Sequence, residues 1–146
     1  MMVTIRTPAG PIRLESPTPA VVKSVRRGLA AGGRTNLARL PDGTPFQQAC
    51  WRAARSIPAG QTRSYLWLAE RALKFLGEDP ARARGCARAA GQAMRRNPWP
   101  VVIPCHRVIS SNGTLGGFSG ATDPRSRMLR LKRWLLAREG WRAPGR

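Results

Sequence analysis

The chain has 146 residues, of which 42% are apolar, so it can bury a genuine core without disulfide support. No apolar run of membrane-spanning length and no signal peptide are present. Three cysteines without CxxC spacing argue against a disulfide framework, which fits a soluble protein of the reducing cytoplasm, away from membranes. With 23 Arg, three Lys and only seven acidic residues, the net charge of +19 points to a polyanionic partner.

The first segment, "VTIRTPAGPIRLE", alternates apolar and polar residues around Pro8-Ala9-Gly10 and predicts a β-hairpin. In "TPAVVKSVRRGLAAGG", Val21, Val22, Val25 and Leu29 recur at helical spacing, with Gly32-Gly33 as a stop. "RTNLARLPDG" reads as a linker. Thr44-Pro45-Phe46-Gln47 is a capping box with proline at the first helical position. Behind it, Phe46, Ala49, Cys50, Ala53, Ala54 and Ile57 form one apolar stripe, and Pro58-Ala59-Gly60 ends the helix. "SYLWLAERALKFLG" predicts a second helix with Tyr65, Ala69, Ala72 and Leu76 on one face. Asp79 then caps a third, whose buried face is Ala83, Ala87, Ala90 and Met94.

The opposite side of this third helix carries Arg84, Arg88, Gln92 and Arg95, with Gly91 among them. Small residues admit a close neighbour, and arginines reach past them. Helix, turn and basic helix together are what a helix-turn-helix offers to DNA. A GC-rich coding bias would supply Arg in place of Lys, but it would not remove acids, so the charge favours nucleic acid. "VVIPCHRVI" follows as a short buried segment, then the glycine-rich loop "SSNGTLGGFSGATDPRS". A terminal helix, "RMLRLKRWLLAREG", turns Leu129, Trp134, Leu135 and Leu136 inward, and Gly140 closes it. The fold class is therefore α+β: a small reduced β segment with linker at 1–43, then a mostly helical domain at 44–146 with a winged or plain helix-turn-helix.

The single histidine, His106, directly follows Cys105. A thiol reacts as its thiolate and needs a group that lowers a pKa of roughly 8.5. His106 is the one candidate base, but adjacency in the chain demands a tight turn after Pro104 or a bridging water. Cys50 and Cys86 fit buried structural thiols. A zinc site from Cys50, Cys86, Cys105 and His106 lacks any ligand spacing. A cysteine hydrolase would need a base distant in sequence, and none exists. A sacrificial nucleophile needs one activated thiol and a substrate held in line.

"IPCHRV", preceded by "AMRRNP" and by "FQQACW" with "IPAGQTRSY", resembles the O6-alkylguanine-DNA alkyltransferase family over roughly residues 44 to 140. The resemblance implies a monomer that docks its helix-turn-helix on duplex DNA containing O6-alkylguanine and flips the lesion out. It then takes the alkyl group irreversibly, with no cofactor and no metal. It implies Cys105 as acceptor, His106 as base through a water, Glu139 as its orienting carboxylate and Asn97 as brace of the turn. Tyr65 would hydrogen-bond the flipped guanine, Arg88 would fill the vacated stack, and Arg84 and Arg95 would contact DNA. Backbone groups of Cys105 and Val108 and the amide of Ser119 would read the base edge, with Met94 and Pro100 as pocket walls. The alternative within the resemblance is an alkyltransferase-like protein that binds lesions without repairing them; its members replace the cysteine. Departures from the family pattern are the short N-terminal part, an insertion, "LKFLGED", that lengthens the second helix or the turn, "ATDPRSRM" extending the loop after Ser119, and Phe118 where an aromatic hydroxyl is frequent.

Overall fold

The computed structural model describes residues 1–30, 39–110 and 127–141, the side chains of 127 and 128 excepted. The predicted stop at Gly32-Gly33 and the positions Phe118 and Ser119 lie outside the described residues.

Strands β1 (Met2–Thr7) and β2 (Gly10–Glu15) pair antiparallel, with Ile5 opposite Ile12. Ile5, Ile12 and Leu14 point inward by the two-residue alternation of a pleated strand, and all three are buried. Helix α1 (Pro19–Leu29) follows, capped by the Thr18 side chain, which accepts from the Val21 amide. It buries Val21 and Val25 against the same core.

The predicted capping box is present. In α2 (Pro45–Arg55), Thr44 Oγ1 accepts from the Gln47 amide, and Gln47 Oε1 accepts from the Thr44 amide. The apolar stripe Ala49, Cys50, Ala53, Ala54 and Ile57 is buried, and Trp51 joins it by donating Nε1–H to the Ala93 carbonyl at 2.9 Å. Helix α3 (Tyr65–Phe75), capped by Ser64, buries Leu68, Ala69, Ala72 and Leu73. Leu76 falls beyond the helix end and is exposed, so the inward face is set by Leu68 and Leu73 rather than Leu76. Helix α4 (Ala83–Arg95) packs on α2 and α3 through Ala83, Ala90, Ala93 and Met94.

The third helix starts later than its sequence predicts. Asp79 does cap, accepting from the Ala81 amide, but it caps a 3-10 turn, Pro80–Arg82, and α4 begins only at Ala83. The "LKFLGED" insertion is thus divided: its first residues finish α3, and the rest lengthens the connection to α4 beyond the three or four residues of a minimal helix-turn-helix.

Two features bring the remaining segments together. The two-residue strands β3 (Arg63–Ser64) and β4 (Val108–Ile109) pair in parallel, Arg63 opposite Val108 and Ser64 opposite Ile109. This ladder ties the cap of α3 to the segment just after Cys105. Helix α5 (Arg127–Arg138) then packs across the Cys105 turn, burying Leu129, Leu131, Leu135 and Leu136, with Trp134 only half-buried. Among the described residues the architecture is α+β, a two-stranded hairpin and five α-helices around one continuous core.

Candidate active site

Between α4 and Cys105 the chain makes a bend that is held from several sides. Asn97 donates Nδ2–H to the Ile103 carbonyl at 2.7 Å, and its Oδ1 accepts from the Trp99 amide at 2.9 Å. The Trp99 indole donates to the Glu15 carbonyl at 2.9 Å, and the Glu15 amide donates to Pro98. Within this bend Val101 has φ +77, a left-handed conformation that strains a β-branched residue by about 1–3 kcal/mol. Such strain persists only where surrounding bonds over-determine the backbone, as they do here.

Pro104 has φ −80 and ψ 67, and the Cys105 amide donates to the Ile103 carbonyl at 2.7 Å, which is an inverse γ-turn. A tight turn here is one of the two arrangements expected for adjacent Cys105 and His106, the other being a bridging water. A 3-10 turn, Cys105–Arg107, follows and faces the two side chains differently. Cys105 is 3% exposed. Burial pushes its thiol up, opposed by the Asn97 side chain, the charge of Lys132 and two backbone amides. Burial is the largest of these effects and favours the protonated thiol.

His106 is fully buried, and its Nε2 lies 3.2 Å from both Glu139 carboxylate oxygens. The tautomer that satisfies this contact carries its proton on Nε2 and leaves Nδ1 as a proton acceptor. Among the described residues Nδ1 is buried without a hydrogen-bond partner. Burial lowers the imidazole pKa, with Glu139 partly opposing it, so the ring is neutral and able to take a proton.

Glu139 reaches the site because α5 ends there. Gly140 has φ +86, and the amides of Gly140 and Trp141 return to the Ala137 and Leu136 carbonyls, a Schellman closure that turns Glu139 back toward His106. Gly60, with φ +85, faces it: a Cβ there would stand 2.8 Å from the Glu139 carbonyl oxygen. The carboxylate is shared with Arg107, whose Nε donates to it at 3.0 and 3.1 Å, whose Nη2 also pairs with it, and whose Nη1 donates to the Ile57 carbonyl at 2.8 Å. Burial alone would raise the Glu139 pKa, but His106 and Arg107 outweigh it and hold the carboxyl at about 2.

Tyr65 opens α3, its ring against Gly91 of α4, which therefore faces inward rather than joining the arginine side. Burial, with Cys105 nearby, raises its phenol to about 12, so it remains a donor at neutral pH. Lys132 of α5 completes the cluster. It is fully buried, donates Nζ–H to the Val108 carbonyl at 2.8 Å, and lies 6.0 Å from the centroid of the Tyr65 ring.

Residues 45–141 match the family model described as 6-O-methylguanine DNA methyltransferase, DNA binding domain. The chain belongs to that family. It is 38% identical over 132 residues to the methylated-DNA–protein-cysteine methyltransferase of Shigella flexneri, spanning 88% of this chain and 68% of that one. To the protein of the same name from Salmonella typhimurium it is 44% identical over 99 residues, 68% of this chain and 48% of that one. The chain thus spans between about half and two thirds of the length of these relatives. The crystal structure of Mycobacterium tuberculosis OGT in complex with DNA superposes with TM-score 0.65 at 32% identity, covering 97% of this chain and 94% of that one.

Within this O6-methylguanine methyltransferase fold, Cys105, His106, Glu139, Asn97 and Tyr65 converge, with the Val108 backbone beside them. Met94 is buried in the core, and Pro100 is half-buried in the strained bend. Arg84, Arg88 and Arg95 stand apart from this cluster, exposed on α4 beside Gly85 and Ala89. Among the described residues no three His, Cys, Asp or Glu side chains come together as a metal site. Sequence reasoning missed Arg107, Lys132 and Gly60. For Lys132 a signal existed: it is one of three lysines among 26 basic residues, set inside the apolar stripe of α5.

Proposed function

We propose that this chain repairs O6-alkylguanine in duplex DNA by moving the alkyl group to Cys105, once per molecule. The observation that carries the reading is the buried Cys105–His106–Glu139 constellation, braced by Asn97, in a chain of this family. The Cys105 proton passes through a water to His106 Nδ1, and the imidazolium is held by Glu139. The sulfur then attacks the alkyl carbon. A C–S bond forms, the C–O bond breaks, and its electron pair stays on the guanine, which recovers a proton. The Tyr65 phenol donates to the departing base and stabilises its developing charge. The product thioether has no leaving group, and among the described residues the site holds no second nucleophile to cleave it.

The exposed face of α4 supplies the docking surface, Arg84 and Arg95 meeting phosphates while Arg88 enters the stack. Val108 and Ser119 read the base edge, and Met94 and Pro100 wall the pocket. Flipping costs a few kcal/mol of unstacking, which Arg88 offsets by filling the gap. The catalytic unit is 44–146, preceded by the reduced β segment and linker at 1–43, and it acts as a monomer in the cytoplasm beside the DNA it repairs.

Intact-mass measurement with excess O6-methylguanine duplex tests the reading. One methyl gained per molecule, on Cys105, is the expected result. Lesion binding with unchanged mass would favour a non-repairing lesion binder, and multiple turnover would refute a sacrificial thiol. Arg88→Ala is expected to slow repair of duplex by roughly tenfold or more while leaving reaction with free O6-benzylguanine near wild type, since only the duplex substrate must be unstacked. Equal losses on both substrates would remove Arg88 from the stack.

A further inference from the structure

We propose that Arg107 is the positioning residue of the proton relay, clamping the Glu139 carboxylate in place for His106 while neutralising most of its charge. The inference rests on His106 being the base of the proposed function. Glu139 presents two oxygens, and Arg107 takes both: Nε donates to Oε1 at 3.0 Å and to Oε2 at 3.1 Å, and Nη2 also pairs with Oε2. His106 has one N–H to offer, and its Nε2 lies 3.2 Å from each of the same oxygens. A guanidinium stays charged at every working pH, and its planar fork matches a carboxylate better than a single ring N–H does. The carboxylate is therefore matched by a fixed cation before any proton arrives.

Two further contacts fix the clamp. Arg107 Nη1 donates to the Ile57 carbonyl at 2.8 Å, just beyond the end of α2, so the guanidinium bridges that end to the end of α5. In the same turn Gly60 stands against the Glu139 backbone, where a Cβ would meet the carbonyl oxygen at 2.8 Å. Arginine and glutamate are thus each held by the segment 57–60, and neither depends on His106 for its place. Their side chains are 17% and 16% exposed, so solvent and salt screen the pair little.

Among the described residues, the charged and titratable groups around His106 are Glu139 and Lys132 from α5 and Arg107 and Cys105 from its own turn. Tyr65 of α3 lies beside Lys132 and Cys105. Glu139 is the carboxylate of this set, and an unshared carboxylate draws a proton onto a neighbouring imidazole. His106 would then rest as imidazolium, with Nδ1 occupied and unable to accept the Cys105 proton. Arg107 cancels that pull and repels a ring cation directly, in the same direction as burial. Glu139 then gives the ring its orientation and its Nε2–H tautomer without filling Nδ1.

His106 is the single histidine of the chain, so isotope-labelled, untagged protein gives one set of imidazole resonances that reports tautomer and titration together. Wild type is expected to show the Nε2–H tautomer with a midpoint below the ordinary 6.5. Arg107→Gln should keep that tautomer and raise the midpoint by about one unit, a ~10-fold gain in proton affinity. Methyl transfer by this variant should fall ~10-fold on the acid side of its midpoint and recover as pH rises past it. A merely structural role would lower the melting temperature and leave the midpoint where it was. An unchanged or lowered midpoint in Arg107→Gln overturns the proposal. So does loss of the Nε2–H tautomer there, which would reduce Arg107 to a tether for Glu139. If Arg107→Gln does not fold, Arg107→Lys takes its place. An ammonium lacks the fork, so the midpoint should rise by less, and an unmoved midpoint is again the overturning result. Absence of methyl transfer by wild type, with these titrations as expected, would instead refute the proposed function and leave the division of Glu139 standing.

Discussion

Cys105→Ala is expected to abolish alkyl transfer while leaving DNA binding at the wild-type level. The substitution removes one buried sulfur from a packed turn, a loss of about 1 kcal/mol in burial, far less than the fold can absorb. The bend itself is held by Asn97, Trp99 and Glu15, none of which bonds through the thiol. The arginines of α4 are untouched. No other thiol can substitute. Cys50 is fully buried in α2, where burial, with Cys86 nearby, lifts it to about 12. Cys86 lies on α4, and the His106–Glu139 relay is built around the Cys105 turn. Titration with labelled duplex, read by intact mass and by gel shift, checks both halves. A methyl found on Cys50 or Cys86 would overturn the assignment of the acceptor.

Glu139→Ala should have the second largest effect, acting on stability and chemistry together. One carboxylate serves both His106 and Arg107, and its side chain is 16% exposed beside an Arg107 side chain at 17%. Removing the shared partner of a buried pair leaves a charge without compensation and costs roughly 3–5 kcal/mol. Without its acceptor the imidazole loses the tautomer that frees Nδ1, and transfer should fall by roughly 10²–10⁴-fold, the usual worth of a positioned general base.

The pH dependence has a definite sign. The folded Glu139 pKa of about 2 lies below its ordinary 4.5, so its stabilisation is present above pH 4.5 and is lost as pH falls toward 2. His106 adds a second acid limb. Its folded pKa lies below the ordinary 6.5, so below that pH the unfolded chain takes up a proton that the folded one refuses. Urea midpoints between pH 7 and 3 should decline in both steps in wild type, and Glu139→Ala should lose the lower step. A variant whose pH profile parallels wild type would refute the shared-carboxylate account.

What the residues disclosed in advance were the local signals. Thr44 and Gln47 predict their cap because the partners lie three residues apart, and the hairpin follows from strict alternation around a two-residue turn. The turn at Pro104 is one of the two ways, the other a bridging water, in which the adjacency of Cys105 and His106 can be made productive. The catalytic set itself came from the family resemblance, not from periodicity or spacing. Contacts between distant segments were illegible. Nothing in "CHRV" says that Arg107 reaches both Glu139 and Ile57, since 32 and 50 residues separate the partners. Lys132 reads as one more surface cation until α5 is rotated against the core. Leu76 failed for the opposite reason: its spacing suits a helix face, but the helix stops one residue short.

The paired bonds from Glu15 to Pro98 and from Trp99 to Glu15 span 83 and 84 positions of chain. They make the N-terminal hairpin a buttress for the arch over the nucleophile. Excising residues 1–43 would therefore do more than shed mass. The contorted Val101 backbone would be freed to relax, and the sulfur would lose its fixed aim before the helices themselves gave way.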